Sequence, residues 1–168
     1  ERLVNNIFTE GGDLTLYYYL KYAKKSKKNN NSKFVFIDQI IPHPPFNVTK
    51  DCSPRLENKN IDEGYKESYQ CALKEISDFT TYISTVDPKA IIVFQGDHGH
   101  SFPEKIKTEK DEILYRASIF NAIKAPAECF KKFGKPHSNV NTVRFVLNCA
   151  YGFDFPYRQI IHYQRLDL

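Results

Sequence analysis

Hydrophobic residues are distributed along the chain in short continuous runs and in one long stretch with helical spacing. The continuous runs are residues 34–41 (FVFIDQII) and 90–94 (AIIVF). Runs rich in β-branched and aromatic residues are typical of strands, and a strand that is apolar on both faces suits a parallel sheet covered by helices on both sides. We therefore predict two buried strands.

The strongest helical pattern lies between these runs, in residues 64–86. Its apolar residues recur at three- and four-residue spacings: Tyr65, Tyr69, Ala72, Leu73, Ile76, Phe79, Ile83 and Val86. Strand, helix and strand in this order predict a βαβ crossover, in which the two strands are parallel and end at the same edge of the sheet. The expected fold class is α/β, with three layers (α/β/α) around a mainly parallel sheet.

Weaker patterns predict the remaining elements. Helices are expected at 14–23 and at 139–150, the second with Asn139 or Asn141 as its N-cap and Gly152 at its end. Residues 116–123 predict a further strand, for which an antiparallel position at an edge stays open. Residues 47–62 read as a polar excursion over the surface, 126–137 as a loop with a short helical turn, and 153–168 as an irregular aromatic tail.

The second strand runs directly into Gly96, Asp97, His98, Gly99 and His100. Ligands of parallel sheets bind beyond the carboxyl ends of the strands, and glycines on both sides allow a sharp turn that brings two adjacent side chains together. A carboxylate with an imidazole suits Zn²⁺ or Mn²⁺ better than Ca²⁺ or Mg²⁺, although at least one more ligand is needed. The alternative is that Asp97 caps a following helix and the histidines are ordinary loop residues.

The first strand also ends in a histidine, within the sequence PHPPF at 42–46. The flanking prolines restrict the backbone on both sides of His43. If the strands are parallel, His43 lies at the same sheet edge as Asp97 and His98. The alternative is a loop histidine in a polyproline turn.

The chain of 168 residues has the length of one domain, which we place at 1–168 with its core at 34–152. It begins at Glu1 and contains no methionine, so a fragment of a longer protein is expected. No apolar run approaches the roughly 18 residues that span a bilayer.

The net charge of +4 comes largely from the lysines at 24–28. No aromatic residues accompany these lysines in a stacking pattern, so nucleic acid is not expected as a partner. A nearby anionic membrane surface stays open as a partner.

The sequence contains four cysteines, Cys52, Cys71, Cys129 and Cys149. They have no CxxC spacing, so we do not expect a zinc cluster. One or two disulfides in an oxidising compartment and buried free thiols both remain open.

Five stretches together carry a family resemblance: PHPPF, YxxxYQ within the helix, IIVFQGDHGHS, YRASIFNAI and NVNTVRFVLNCAYG. Over about 34–152 the chain resembles the C-terminal half of the sulfatase-like catalytic domain of the alkaline phosphatase superfamily. It is similar in particular to membrane-anchored phosphoethanolamine transferases and lipoteichoic acid synthases. The resemblance implies a partial alkaline phosphatase-like fold.

The resemblance also implies metal-dependent phosphoryl or sulfuryl transfer, or hydrolysis, on an anionic phosphate or sulfate ester of a lipid or glycan. Asp97 and His98 match the two late ligands of a Zn²⁺ or Mn²⁺ ion, and His43 matches the histidine that contacts the transferred group or the leaving group. His100 is a catalytic candidate without a secure counterpart. The expected location is extracytoplasmic, periplasmic or at the cell surface, with a membrane tether upstream.

The nucleophile and an early acidic ligand lie in the N-terminal half of such domains, and no counterpart is present here. We therefore expect this chain to need that half as a partner and to be inactive alone. One alternative is a non-catalytic interaction or sensory domain that retained the fold, and another is a cytosolic regulatory α/β domain without a metal.

Overall fold

A computed structural model describes residues 16, 19–21, 34–56, 60–100 and 106–159. Within these ranges the elements are α1 (Ile61–Val86), β1 (Ile92–Gln95), α2 (Glu109–Ala117), β2 (Asn121–Lys124), α3 (Ala127–Phe133) and α4 (Asn139–Tyr151). Leu16 and residues 19–21 are also helical. The chain divides into two compact units, Glu1–Thr85 and Val86–Leu168.

The predicted three-layer α/β/α fold with a mainly parallel sheet is wrong, and with it the partial alkaline phosphatase-like fold. The sheet in the described residues has two strands, β1 and β2, and they are antiparallel. Ile92 lies opposite Lys124 and Gln95 lies opposite Asn121. The expected βαβ crossover therefore does not form, because β1 has no parallel neighbour in this sheet.

The reason lies in residues 34–41, which form no strand. A strand depends on a paired backbone and on covered faces more than on the intrinsic preference of its residues. Neither condition is met here, since this stretch joins no ladder in the described residues and Phe34 and Phe36 are 72% and 67% exposed. His43 accordingly does not follow a strand.

The long predicted helix is confirmed as α1, which begins three residues earlier than expected, at Ile61. Its buried residues are Gly64, Ser68, Cys71, Ala72, Glu75 and Phe79. The buried face shares Ala72 and Phe79 with the predicted stripe but is rotated relative to it: Tyr65 and Tyr69 are only half-buried, and Leu73 is exposed. One hydrogen bond and one covalent link explain the rotation, because the Glu75 carboxylate accepts a hydrogen bond from Gln39 at 2.7 Å and Cys71 forms a disulfide with Cys52.

The stretch before α1 is mostly exposed, as predicted for a surface excursion, but it contacts this helix at a few residues. Phe46 and Val48 are buried, and a Cβ on Gly64 would lie 2.8 Å from the Phe46 ring. Val48 and Pro54 form an antiparallel bridge, and a disulfide joins Cys52 to Cys71. Phe46 and Val48 are therefore part of the core of the first unit.

The second unit is built around α4, which confirms the helix predicted at 139–150. Ser138, rather than either predicted asparagine, is the N-cap, and Gly152 ends the helix with a left-handed backbone at φ 71°. Phe145 is fully buried and stacks on Phe130 at 4.9 Å between ring centroids. The Cys129–Cys149 disulfide joins α3 to α4.

The strand expected at 116–123 is present in shifted form. Residues 116–117 end α2, while β2 begins at Asn121, antiparallel to β1. Most of the helix predicted at 14–23, the lysines at 24–28 and residues 160–168 of the aromatic tail lie outside the described residues. Among the helices that the structure describes, none is both long enough and apolar enough to span a bilayer.

Candidate metal-binding site

The Asp97–His98 loop begins where β1 ends, at Gln95, and backbone hydrogen bonds hold it at both sides. The Gly96 N–H donates to the Phe120 carbonyl at 2.9 Å, and the Gly99 N–H donates to the Arg116 carbonyl at 2.7 Å. Both acceptors flank the connection between α2 and β2. The loop is therefore supported by a helix end and a strand start in the same unit.

Gly99 has a packing role that differs from the predicted one. Neither Gly96 nor Gly99 has a positive φ, so neither is needed for a left-handed turn. A Cβ on Gly99, however, would lie 2.7 Å from the Ser118 carbonyl oxygen and would also overlap the Tyr115 carbonyl. On Gly96 the nearest atoms would be at 3.7 Å, which is ordinary contact. Gly99 is thus required for the close approach of the loop to the end of α2.

The supporting helix α2 was missed by the sequence patterns, although its start carries a recognisable signal. Thr108 accepts a hydrogen bond from the Asp111 N–H, and the Asp111 carboxylate accepts one from the Thr108 N–H at 3.0 Å. The Thr108 hydroxyl, which donates to the Asp111 carboxylate at 2.9 Å, lowers the pKa of Asp111, with a further contribution from the Lys107 N–H. This reciprocal pattern is a capping box with aspartate in place of glutamate.

Asp97 and His98 are brought together at the surface, as predicted. Their side chains are 87% and 50% exposed, and Asp97 Oδ2 lies 3.6 Å from His98 Nε2. The other carboxylate oxygen accepts the His98 backbone N–H at 2.9 Å. His98 Nδ1 lies 2.9 Å from the Gly99 carbonyl oxygen, and because a carbonyl can only accept, Nδ1 carries the proton of the neutral ring.

This arrangement places two electron-pair donors face to face. With the Nδ1 proton directed to Gly99, Nε2 of the neutral ring carries a lone pair and lies 3.6 Å from Asp97 Oδ2. A metal ion bound between the two atoms would be attracted by both. Zinc ligands at about 2.0–2.1 Å in tetrahedral geometry are roughly 3.3 Å apart, so the observed 3.6 Å spacing fits two neighbouring ligands of one ion.

The two other candidate residues occupy different environments. His100 follows in the same loop and is half-buried, so it is less accessible than Asp97 and His98. His43 lies in the first unit, where it is exposed; its Nδ1 donates to the Pro44 carbonyl at 2.7 Å. The role of each stays a prediction.

A buried arginine organises the backbone next to His43, and the sequence patterns gave no indication of it. Arg55 has a 7% exposed side chain, and it pairs with Glu67 at 2.9 Å. Its guanidinium also donates to the carbonyls of Phe46 at 2.8 Å and Val48 at 2.7 Å. Phe46 in turn donates its N–H to the His43 carbonyl at 3.2 Å. Arg55 therefore fixes the chain that follows the proline-flanked histidine.

Comparison of the chain with protein-family models, with curated proteins and with solved structures found no match. Across residues 16, 19–21, 34–56, 60–100 and 106–159 no group of three or more histidine, cysteine, aspartate or glutamate side chains could hold a metal ion. Within those residues the candidate site has two donors, Asp97 and His98.

Proposed function

We propose that this chain is part of a metal-dependent phosphoryl or sulfuryl transferase or hydrolase of the sulfatase-like kind. The observation that carries the proposal is the pair of facing donors, Asp97 Oδ2 and His98 Nε2, 3.6 Å apart on a braced loop. The proposal depends on this site and on the motifs around it, and not on the sheet topology.

In this proposal Asp97 and His98 have a task that their surroundings support, and His100 stays a catalytic candidate without an assigned step. Asp97 and His98 supply two ligands, and the Nδ1 proton held by Gly99 keeps His98 in the tautomer that binds through Nε2. A divalent cation, Zn²⁺ or Mn²⁺, would neutralise charge on the oxygens of the transferred group and activate a hydroxyl nucleophile. For His43, whose Nδ1 proton is directed to Pro44, the proposal keeps the role that the resemblance implies, which is protonation of the departing alkoxide by the imidazolium form.

The substrate in this proposal is an anionic phosphate or sulfate ester of a lipid or glycan, and the nucleophile and remaining ligands come from the partner half of the catalytic domain. Both cysteine pairs are disulfides, Cys52–Cys71 and Cys129–Cys149. Disulfides persist in oxidising compartments, which supports an extracytoplasmic location, with the membrane tether upstream.

Titration calorimetry with Zn²⁺ and with Mn²⁺ tests the proposed site. The 168-residue chain should bind weakly, because two protein donors are fewer than the three of a usual catalytic site. Asp97→Asn and His98→Gln should each weaken binding by roughly tenfold or more, since even residues that only support a ligand contribute that much. Asp154→Asn and His137→Gln are matched controls, since both residues are exposed side chains of the same unit, and they should leave binding unchanged.

Equal binding by the chain and by all four variants, or no binding at all, would contradict the metal site and favour a non-catalytic domain. Activity is a separate measurement. The isolated chain should turn over neither phosphodiesters nor sulfate esters, and measurable turnover would show that the chain carries its own nucleophile.

A further inference from the structure

Three aromatic side chains form an exposed cluster after α4. Tyr151, Phe153 and Phe155 are 70%, 47% and 43% exposed. Their rings touch in sequence, with centroids 6.0 Å apart between Tyr151 and Phe153 and 5.1 Å apart between Phe153 and Phe155. Single exposed apolar residues are ordinary on protein surfaces, whereas contiguous ones mark contact sites. We call this cluster the aromatic patch.

The aromatic patch is held in place by the helix beside it. Asn148 is buried in α4, its amide donates to the Phe155 carbonyl at 3.0 Å, and its oxygen accepts the Phe155 N–H at 2.8 Å. Gly152 ends the helix in the left-handed conformation that turns the chain back. The rings are thus presented on a backbone whose position is set, so little ordering is needed when the patch makes contact.

Positive charge borders the aromatic patch. Lys132 and Phe155 line the same cavity of about 250 Å³, together with Asp154 and Tyr157, and Tyr157 donates a hydrogen bond to the Gly134 carbonyl at 3.4 Å. Lys131, Lys132 and Lys135 are all exposed. Residues 126–159 carry five basic and two acidic side chains, Glu128 and Asp154 being the acidic ones, so this part of the chain has a net charge of +3.

We propose that the aromatic patch, Lys132 beside it, and the exposed Lys131 and Lys135 close to Lys132 in the sequence form a docking surface for an anionic lipid membrane. Aromatic rings are favoured at the level of the lipid headgroups, and lysines near an anionic bilayer are attracted to its surface potential. A second copy of the chain is a poorer occupant, because a twofold interface would place the patch against itself and bring lysines together.

Sedimentation with lipid vesicles tests this surface. The chain should bind vesicles of equal parts phosphatidylglycerol and phosphatidylcholine, bind pure phosphatidylcholine vesicles far less, and lose binding as salt rises. Replacing Lys131, Lys132 and Lys135 by glutamine should weaken binding to the anionic vesicles by roughly fivefold per lysine. Phe153→Ser with Phe155→Ser should weaken binding to both kinds of vesicle.

A matched control uses Leu114→Ser and Lys110→Gln in α2, which remove an exposed apolar residue and an exposed lysine elsewhere in the same unit. These variants should bind vesicles as the original chain does. The chain has no tryptophan, so Phe153→Trp provides a single reporter whose emission should shift to the blue when anionic vesicles are added.

The proposal would be overturned by no binding to anionic vesicles, by equal losses in patch and control variants, or by a Phe153→Trp emission that vesicles leave unchanged. A concentration-dependent dimer that the patch variants abolish would also overturn it, in favour of a second copy as the occupant. Circular dichroism of each variant separates a lost surface from a lost fold.

Discussion

At the scale of single residues, two glycines of the candidate site offer a matched comparison. Gly99→Ala should destabilise the chain by roughly 1–3 kcal/mol, because the new methyl group would overlap the carbonyls of Tyr115 and Ser118. Gly96→Ala should change stability by less than about 0.5 kcal/mol, since nothing lies nearer than 3.7 Å. Urea unfolding measures both.

The two glycine variants should also differ in metal binding at the Asp97–His98 loop. Gly99→Ala should also weaken metal binding, because the loop must move away from α2 and carry Asp97 and His98 with it. Gly96→Ala should not. Equal behaviour of the two variants would show that the close approach at Gly99 is not what shapes the loop.

Arg55 supports a second prediction about a single residue. Arg55→Met should lower the free energy of unfolding by roughly 3 kcal/mol, because it breaks the ion pair with Glu67 and removes the donor from two carbonyls. Lys74→Met is the control: its pair with Asp78 is more than half exposed on both sides, so the change should stay below about 1 kcal/mol. Denaturant midpoints distinguish the two.

A double variant identifies which part of the Arg55 effect comes from the ion pair. Arg55→Met with Glu67→Gln should cost less than the sum of the two single changes, because both changes remove the same ion pair. Strictly additive losses would mean that the hydrogen bonds to Phe46 and Val48, and not the ion pair, account for the stabilisation.

At the scale of elements, α4 holds the chain that follows it through two asparagines. Asn141 and Asn148 are two helical turns apart, so they lie on the same face. Asn141 donates to the Arg158 carbonyl at 2.9 Å and accepts the Arg158 N–H at 2.8 Å, while Asn148 makes the same pair of bonds with Phe155. Each asparagine amide thus bonds to the N–H and the carbonyl of one residue in the segment after α4, as the backbone of a neighbouring strand would. Both asparagine side chains are buried.

Hydrogen exchange should separate the two asparagines. Asn148→Ala should speed exchange of the Phe155 amide by roughly tenfold, as expected for the loss of one net hydrogen bond, and should affect the Arg158 amide less. Asn141→Ala should speed exchange of the Arg158 amide and should affect the Phe155 amide less. Equal acceleration of both amides in each variant would show that the segment opens as one piece and that the two asparagines are not independent.

The elements that were predictable are those whose signal is local. The spacing of apolar residues identified α1 and α4, and the apolar run at 90–94 identified the position of β1. The partner of β1 was not predictable in this way, because pairing depends on residues distant in sequence and residues 34–41 have strand composition without a ladder. The closeness of Asp97 and His98 was predicted from the loop. The rotation of the buried face of α1 was not predictable from the apolar pattern, because it depends on Gln39 and Cys71, which lie outside that pattern.

Contacts that involve polar side chains were the least visible from sequence. Arg55 lies in a polar stretch and has no periodic signal, although in the structure it is buried between two carbonyls and Glu67. Asn141 and Asn148 had a usable signal, namely asparagines two turns apart on one helix. Such residues are informative only once the segment that they bind is known.

At the scale of the whole molecule, each compact unit contains one disulfide. Cys52–Cys71 lies in the first unit and Cys129–Cys149 in the second, with sequence separations of 19 and 20 residues. Loops of this size are expected to contribute roughly 3 kcal/mol each by restricting the unfolded chain. For units with small apolar cores this is a large share of typical domain stability.

Thiol titration of the denatured chain tests this pairing and the extracytoplasmic location that it supports. Chain produced in an oxidising host and unfolded in guanidinium without reductant should show no reactive thiol, and reduction should release all four, because no cysteine is free. Unfolding in advance ensures that burial does not hide a thiol. Four thiols before reduction would contradict both disulfides and remove the support for an oxidising compartment. Two reactive thiols before reduction would mean that only one disulfide is present. Two double variants would identify it, Cys52→Ser with Cys71→Ser and Cys129→Ser with Cys149→Ser, because only the variant that removes the disulfide would lose stability.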